Sequence, residues 1–368
     1  MESTQSHHRS FSEAIGEFFR TVFSGEFWRS LRKDLREVYR FYVDDDTRAR
    51  LDAMRPVRRF IRASWLVLKA LYAKLTPVRQ VLLIIAIVLF VFPRSQFSDG
   101  NSSVVFTWSP FGFLILLLIL ILELKDKLLA KDELRAGHSV QEALMPRTMP
   151  MFPGWDIWLM TTPANDVGGD LVDYLQRDEH ALDLALADIA GKGLGAALMA
   201  AKLQATMRAI APESASLVDL ADKLNAIICR DGLPNRFATL AYVRLTTESS
   251  TVRLLNAGHL PPMILRSLDL EQLAKKAPAI GLTPQATYGE QEFQIAPGEY
   301  LVMVSDGVLE ARNEREGFFG EERFRQLLLT LRGLSAESAG KRILQEVEMF
   351  VGDAPRSDDI SLVILRKL

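Results

Sequence analysis

The chain has 368 residues, with 44 basic and 46 acidic side chains, a net charge of −2, 48% apolar residues and a single cysteine. At about 100–200 residues per domain, this length accommodates two domains, or one domain with a membrane or regulatory segment. The apolar content excludes disorder throughout, and a lone Cys229 excludes an internal disulfide or a cysteine-rich zinc cluster, which suits a cytosolic catalytic part.

The near-neutral total hides an asymmetry: residues 1–80 carry 16 basic and 10 acidic side chains, and the remainder is net −8. Near the start, Phe11, Ile15, Phe18, Phe19, Val22, Phe23 and Phe27 recur at three- and four-residue spacing among charges. The pattern fits an amphipathic helix lying on a membrane or a partner, and equally a small helical core formed with Leu31, Leu35, Tyr39 and Phe41. Between 53 and 80, Arg55, Arg58, Arg59, Arg62, Lys69, Lys74 and Arg79 meet no acidic residue. This segment reads as a surface for anionic lipid heads, and no nucleic-acid partner is expected because the basic stretch runs straight into an apolar one.

Residues 81–92 are all apolar, and 104–122 supply nineteen residues without a charge. A bilayer core of about 30 Å needs roughly 20 residues per helix, so the spacing predicts a transmembrane hairpin over 78–122, with spans at 78–97 and 104–122. Arg79 and Arg94 would snorkel to the interfaces. The basic flanks, including Lys125, Lys127 and Lys131, predict that both long ends lie in the cytoplasm, on the inner side of the cytoplasmic membrane. A cleaved signal peptide is not expected, because the first apolar run begins some eighty residues in. Residues 124–144 then carry one apolar residue per turn, predicting a helical connector able to pair as a short coiled coil, until Pro146, Pro150 and Pro153 stop it. The expected organisation is thus a cytoplasmic amphipathic and basic segment (1–77), the hairpin (78–122), the connector (123–150) and a catalytic domain (151–368).

From Trp155 onward short β-rich runs alternate with turn signals. Strands are predicted at 156–162, 171–176, 181–188, 238–245, 252–256, 263–266, 300–305 and 360–365. Helices are predicted at 195–210, 217–229, 321–331 and 337–351. The opening strands follow one another without intervening helices, which favours an antiparallel α+β fold over βαβ units.

Acidic residues sit at the ends of these strands. Asp170 follows Val167-Gly168-Gly169, Asp188 ends an apolar strand, Asp306 lies between Ser305 and Gly307, and Asp358 and Asp359 precede the last strand. Hard carboxylate oxygens suit Mg²⁺ or Mn²⁺, and without a histidine or cysteine cluster zinc is disfavoured. Taken singly, Ser305-Asp306-Gly307 reads as an ordinary turn and Gly168-Gly169-Asp170 as a hairpin. Gly191-Lys192-Gly193 lacks the spacing of a Walker loop, and Gly168-Gly169-Asp170 continues as Leu171-Val172, a poor match to a diguanylate cyclase.

Residues 138–368 resemble the metal-dependent protein phosphatases related to protein phosphatase 2C, in the bacterial SpoIIE/RsbU branch. The matching stretches are Gln141-Glu142-Ala143-Leu144-Met145-Pro146, Pro163-Ala164-Asn165-Asp166-Val167-Gly168-Gly169-Asp170, Ala187-Asp188-Ile189-Ala190-Gly191-Lys192-Gly193, Phe237-Ala238-Thr239, Asn256-Ala257-Gly258-His259, Ser305-Asp306-Gly307 and Ser357-Asp358-Asp359-Ile360-Ser361. The resemblance implies two packed antiparallel sheets flanked by helices and a site for two Mn²⁺ or Mg²⁺ ions. It implies that Asp188 bridges both ions, that Asp170 and the Ile189 carbonyl hold one, and that Asp306 holds the other with Asp358 or its neighbour Asp359. Catalysis would then run through a metal-activated water, with Asp170, Asp188, Asp306 and Asp358 as the working carboxylates. Asp173 belongs to the same pattern in a supporting place, His259 reads as a structural turn residue with a role as an acid as the alternative, and Lys192 is a candidate to anchor phosphate, since no arginine stands at the position before Gly168 where many related phosphatases outside this branch carry one. The implied substrate is a phosphoserine or phosphothreonine protein of the anti-sigma-factor antagonist kind, in a partner-switching pathway. The resemblance also implies a homodimer, with helices 195–210 and 217–229 as a regulatory pair. The competing reading is a catalytically silent phosphatase fold serving as a membrane scaffold.

Overall fold

A computed structural model of the protein describes residues 47, 51, 54–99, 102–146, 148–231, 236–247, 251–274 and 277–368. The apolar pattern between Phe11 and Phe41 lies outside the described residues. The chain divides into two units, Met1–Lys127 and Leu128–Leu368.

In the first unit, prolines at the first helical position open α1 (Pro56–Lys74) and α2 (Pro77–Val91), where a missing N–H costs nothing. An antiparallel ribbon follows, β1 (Arg94–Asp99) against β2 (Ser102–Thr107), in register from Arg94 opposite Thr107 to Asp99 opposite Ser102. Helix α3 (Ser109–Leu144) follows, its residues to Lys127 in this unit and the rest in the second. Helices α2 and α3 come close at Gly112, where a Cβ would stand 3.1 Å from the Ala86 carbonyl oxygen. At the other end of the pair, Arg79 donates to Glu123 and Asp126, each at 2.6 Å.

The ribbon corrects the expected spans. Residues 94–97 and 104–107, assigned to span ends, pair as strands instead, because the β-branched run Val104-Val105 and its flanks find partners across a tight polar turn. Helix α2 retains 15 residues, about 22 Å at 1.5 Å per residue. Among the described residues no helix is long and apolar enough to cross a membrane.

The second unit contains the expected α+β sandwich. One five-stranded sheet has the order β10-β7-β6-β5-β4 and the other β3-β12-β11-β8-β9. The strands are β3 (Trp155–Thr162), β4 (Leu171–Gln176), β5 (Ala181–Ile189), β6 (Ala238–Thr246), β7 (Thr251–Ala257), β8 (Met263–Leu265), β9 (Leu270–Gln272), β10 (Glu290–Gln294), β11 (Tyr300–Val304) and β12 (Ile360–Lys367), and every pairing is antiparallel. Helices α4 (Leu194–Ile210) and α5 (Leu217–Asp231) cover the first sheet. After the single turn α6 (Asp306–Leu309), α7 (Glu321–Leu329) and α8 (Ala336–Val351) cover the second.

Strand alternation builds this four-layer stack. On β5, Leu182, Leu184 and Leu186 point into the core between the sheets, while Ala185, Ala187 and Ile189 point out to α4 and α5. On β12, Val363 and Leu365 face the inter-sheet core, while Leu362 and Ile364 face α7 and α8. On β5 the small Ala185 and Ala187 let α4 and α5 approach the sheet closely. The eight predicted strands and four predicted helices are all present, with ends displaced by at most two residues. Strands β9 and β10 escaped prediction because each is short, at an edge and polar.

Candidate active site

Strand register brings the acidic residues together. Leu171 pairs with Ala187, which sets Asp170 beside Asp188 at one end of the first sheet. Val304 pairs with Leu362, which sets Asp306 near Asp358 and Asp359 at one end of the second. Gly307 makes that approach feasible: a Cβ there would stand 1.9 Å from the Asp359 carbonyl oxygen. The two ends are joined directly, because the Ser361 hydroxyl donates to Asp170 Oδ2 at 2.5 Å. Asp188, Asp358 and Lys192 line a small cavity there with Asn165, Gly169 and Gly193.

Asp358 and Asp359, interchangeable from sequence, have different surroundings. Asp359 is buried, and its carboxylate accepts from three backbone amides, Ala164 at 2.7 Å, Gly169 at 2.6 Å and Asp170 at 3.3 Å. It fastens the loop that carries Asp170. Asp358 is partly exposed and accepts from Lys192 Nζ at 2.9 Å. Its charge acts on both Asp188 and Asp306.

The cluster is electrostatically strained. Burial first, then repulsion from Asp306, Asp358 and Asp359, raises the Asp188 carboxyl to about 7, against a smaller opposing pull from Lys192. Asp170 is raised well above the usual carboxylate range, chiefly by burial, with the Ser361 hydrogen bond opposing and Asp188 adding to the shift. Asp306 is raised by burial and then by Asp358 and Glu310. Several hard oxygen donors crowded with little positive charge form a set that a divalent cation would relieve. Among the described residues no three acidic, histidine or cysteine side chains converge tightly enough, as placed, to enclose an ion by themselves. In donor kind and charge, though, the residues fit such an ion. The Ile189 carbonyl also faces this region, 3.2 Å from where a Gly169 Cβ would be.

Behind Asp188 the chain turns through Gly191 (φ 104°) and Gly193 (φ 74°), in the left-handed region that favours glycine. Arg236 packs against this turn, and its Nη1 donates to the Ala190 carbonyl at 3.0 Å. Lys192 spans to the other sheet, donating also to the Ser357 carbonyl at 2.9 Å.

Two other predicted residues lie in supporting places. The buried Asp173 is held by the Arg208 fork on α4, at 2.8 and 2.6 Å. His259 is buried between the sheets, with Nδ1 2.9 Å from the Thr239 hydroxyl and Nε2 3.2 Å from the Val304 carbonyl oxygen. Three residues at the site carried no assigned role in the sequence. Ser361 was detectable as a polar residue inside an apolar strand, and Arg236 as a cation immediately before Phe237-Ala238-Thr239. Gln141 sits in a quoted motif, yet nothing local signals that its amide bonds to Gly168.

Comparisons with known proteins follow this geometry. The family model described as Stage II sporulation protein E (SpoIIE) matches residues 178–368. IcfG of Synechocystis sp. (strain ATCC 27184 / PCC 6803 / Kazusa) is 26% identical over 260 residues, covering 63% of this chain and 41% of that protein. Phosphoserine phosphatase RsbU of Bacillus subtilis (strain 168) is 25% identical over 239 residues, covering 64% of this chain and 70% of RsbU. The chain thus spans less than half the length of the first relative and about two thirds of the second. Among solved structures, the SiaA-PP2C domain of Pseudomonas aeruginosa aligns with a TM-score of 0.58 at 20% identity, covering 66% of this chain and 98% of that one. The phosphatase and partial regulatory domains of SpoIIE from Bacillus subtilis align with a TM-score of 0.52 at 16% identity, covering 60% and 64%. At these identities the structural likeness establishes the fold, a protein phosphatase 2C-like sandwich.

Proposed function

Because the chain belongs to the SpoIIE family, we propose that it is a metal-dependent phosphatase acting on a phosphoserine or phosphothreonine protein. The observation that carries this reading is the meeting of Asp188, Asp306 and Asp358 where the two sheets end, with Asp188 raised to about 7. Its relative RsbU is named a phosphoserine phosphatase. An anti-sigma-factor antagonist is the substrate class we favour.

Asp188 would serve two Mn²⁺ or Mg²⁺ ions, with Asp170 and the Ile189 carbonyl on one side and Asp306 and Asp358 on the other. Such ions, when bound, acidify a water and offset charge on a phosphoryl group in transfer. The chain's own residues prepare the place. Ser361 fixes the rotamer of Asp170, Asp359 fixes its loop, and Arg236 holds the turn after Asp188. Lys192, which lines the cavity, would be free to meet a substrate phosphate once it leaves Asp358.

We further propose that the first unit anchors the protein to the cytoplasmic face of a membrane. Helix α2 exposes Val81, Ile84, Ile87, Val88 and Val91, and α3 exposes Phe113, Leu114, Leu117, Leu120 and Ile121. Apolar surface of that extent suits lipid, and the small-residue approach at Gly112 and Ala86 suits helices packed within it. Helix α1 splits into an apolar arc with Val57, Phe60, Ile61, Trp65 and Leu68, all exposed, and a basic arc with Arg58, Arg62 and Lys69. That is the build of a helix lying on anionic lipid. Leu128, Leu129 and Val140 are exposed on α3, which supports pairing with a second copy.

The deciding experiment is Mn²⁺-dependent phosphate release from a phosphoserine protein by the full chain, beside Asp188→Asn and Asp306→Asn. Activity in the parent lost in both variants is the expected result. A parent that binds Mn²⁺ tightly and releases no phosphate from any phosphoprotein or from p-nitrophenyl phosphate would overturn it in favour of the scaffold reading.

A further inference from the structure

Within the second unit, the last turns of α3 pack on α4 and the active-site loop by a single face. Gly137, Gln141 and Leu144 recur at intervals of four and three residues, which stacks them on one side of a helix. A Cβ at Gly137 would stand 3.0 Å from Leu194 and 3.7 Å from Val167. The Leu144 carbonyl accepts from Gln204 of α4 at 2.8 Å. Between them the buried Gln141 bonds twice to one residue: its Nε2 donates to the Gly168 carbonyl at 2.8 Å, and the Gly168 N–H donates to its Oε1 at 3.1 Å. On the other side of the helix Val140, Glu142 and Ala143 are exposed.

From this geometry we infer that Gln141 is a positioning residue for the active-site loop, and that the end of the connector helix is a working part of the catalytic unit. Gly168 stands two residues before Asp170. Its neighbour Gly169 donates to Asp359 at 2.6 Å, so the loop is gripped from one side by Gln141 and from the other by Asp359. A primary amide, with one donor and one acceptor in a plane, can satisfy both polar groups of a single buried peptide residue. Withdrawing it leaves a buried N–H and a buried C=O unpaired, and the loop relaxes to find water. Asp170 then loses its place beside Asp188. A shift of α3 by one turn, or an end that unwinds before Gln141, has the same effect, so the position of this helix sets the competence of the site. This rests on the metal-carboxylate reading above.

The test compares the full chain with Gln141→Met, Gln141→Ala and, on the exposed side of the helix, Glu142→Ala. Methionine keeps size and helix propensity but removes both polar groups facing Gly168, so a mere packing role would leave it like the parent. Three quantities are read: amide hydrogen exchange over residues 164–170, Mn²⁺ affinity by calorimetry, and kcat and KM for p-nitrophenyl phosphate. Gln141→Met and Gln141→Ala should exchange at least about tenfold faster in that segment and bind Mn²⁺ about tenfold more weakly, and kcat should fall while KM stays within about twofold. Glu142→Ala should match the parent in all three. Parent-like exchange and Mn²⁺ affinity in Gln141→Met would overturn the inference, as would a loss spread evenly over the whole domain in the exchange map. Should the parent bind Mn²⁺ but hydrolyse nothing, the phosphatase reading fails, while exchange and affinity still decide the role of Gln141.

Discussion

The Lys192 ammonium lies 2.9 Å from an Asp358 carboxylate oxygen and 2.9 Å from the Ser357 carbonyl oxygen, so a cation already stands against one of the carboxylates expected to hold metal. Lysine and metal compete for the same charge. Lys192→Met should therefore tighten Mn²⁺ binding, by about three- to tenfold, in a calorimetric titration at low ionic strength. Its effect on folding stability should stay within about 1 kcal/mol, as for other exposed ion pairs.

Crowded, buried carboxylates make the metal-free fold self-repelling around Asp188. Adding Mn²⁺ at about a hundred times its dissociation constant should stabilise the domain by about 2.7 kcal/mol, raising the melting temperature by roughly 5–10 °C. Asp188→Asn should melt no lower than the parent in chelator and should lose most of the Mn²⁺-dependent rise. A scanning calorimeter reads both.

Neighbouring aspartates should separate cleanly. Asp358→Asn should abolish metal-dependent activity with little change in melting. Asp359→Ala, which strands three backbone amides in a buried loop, should cost about 3 kcal/mol or more in urea unfolding. The reverse pattern would exchange their roles.

Away from the site, Asp183 is fully buried and accepts from the Arg244 fork at 2.7 and 2.9 Å and from the Tyr242 hydroxyl at 2.8 Å. Asp183→Ala leaves a buried guanidinium without its counter-charge and should cost about 3–5 kcal/mol, read in urea unfolding. Catalytic constants per folded molecule should hold.

To test the proposed lipid face of α1, the full chain reconstituted in vesicles with about 30% phosphatidylglycerol should protect the tryptic sites at Arg58, Arg62 and Lys69. Vesicles of phosphatidylcholine alone should leave them open, and Arg58→Glu with Lys69→Glu, which leaves Arg62 as the site read, should abolish the difference. Equal cleavage in both vesicle types would remove anionic lipid as the partner of α1.

The sandwich was legible because its strands alternate strongly. Leu182, Leu184 and Leu186 against Ala185 and Ala187 fix both the strand and the sizes of its two faces. The acidic cluster was legible because four strand ends carried aspartates in fixed order. What could not be read was distance across the chain. Ala164 and Asp359 are 195 positions apart and 2.7 Å apart in space, so the duty of Asp359 depends on a register no local pattern encodes. The ribbon at 94–107 was hidden for another reason: Val104, Val105 and Phe106 continue the apolar run of α3, and hydrophobicity alone does not separate a paired strand from a helix.

Strand β12 lies between β3 and β11, at the interior of its sheet, and it leads in with Asp358 and Asp359 and carries Ser361. The middle of that sheet is thus supplied later in translation than either neighbour. A nascent chain can emerge with Asp170, Asp188 and Asp306 all made and still have no hydroxyl to fix Asp170 and no carboxylate to fasten its loop. The acidic cluster is therefore completed only when β12 takes its place between two strands that precede it in the chain.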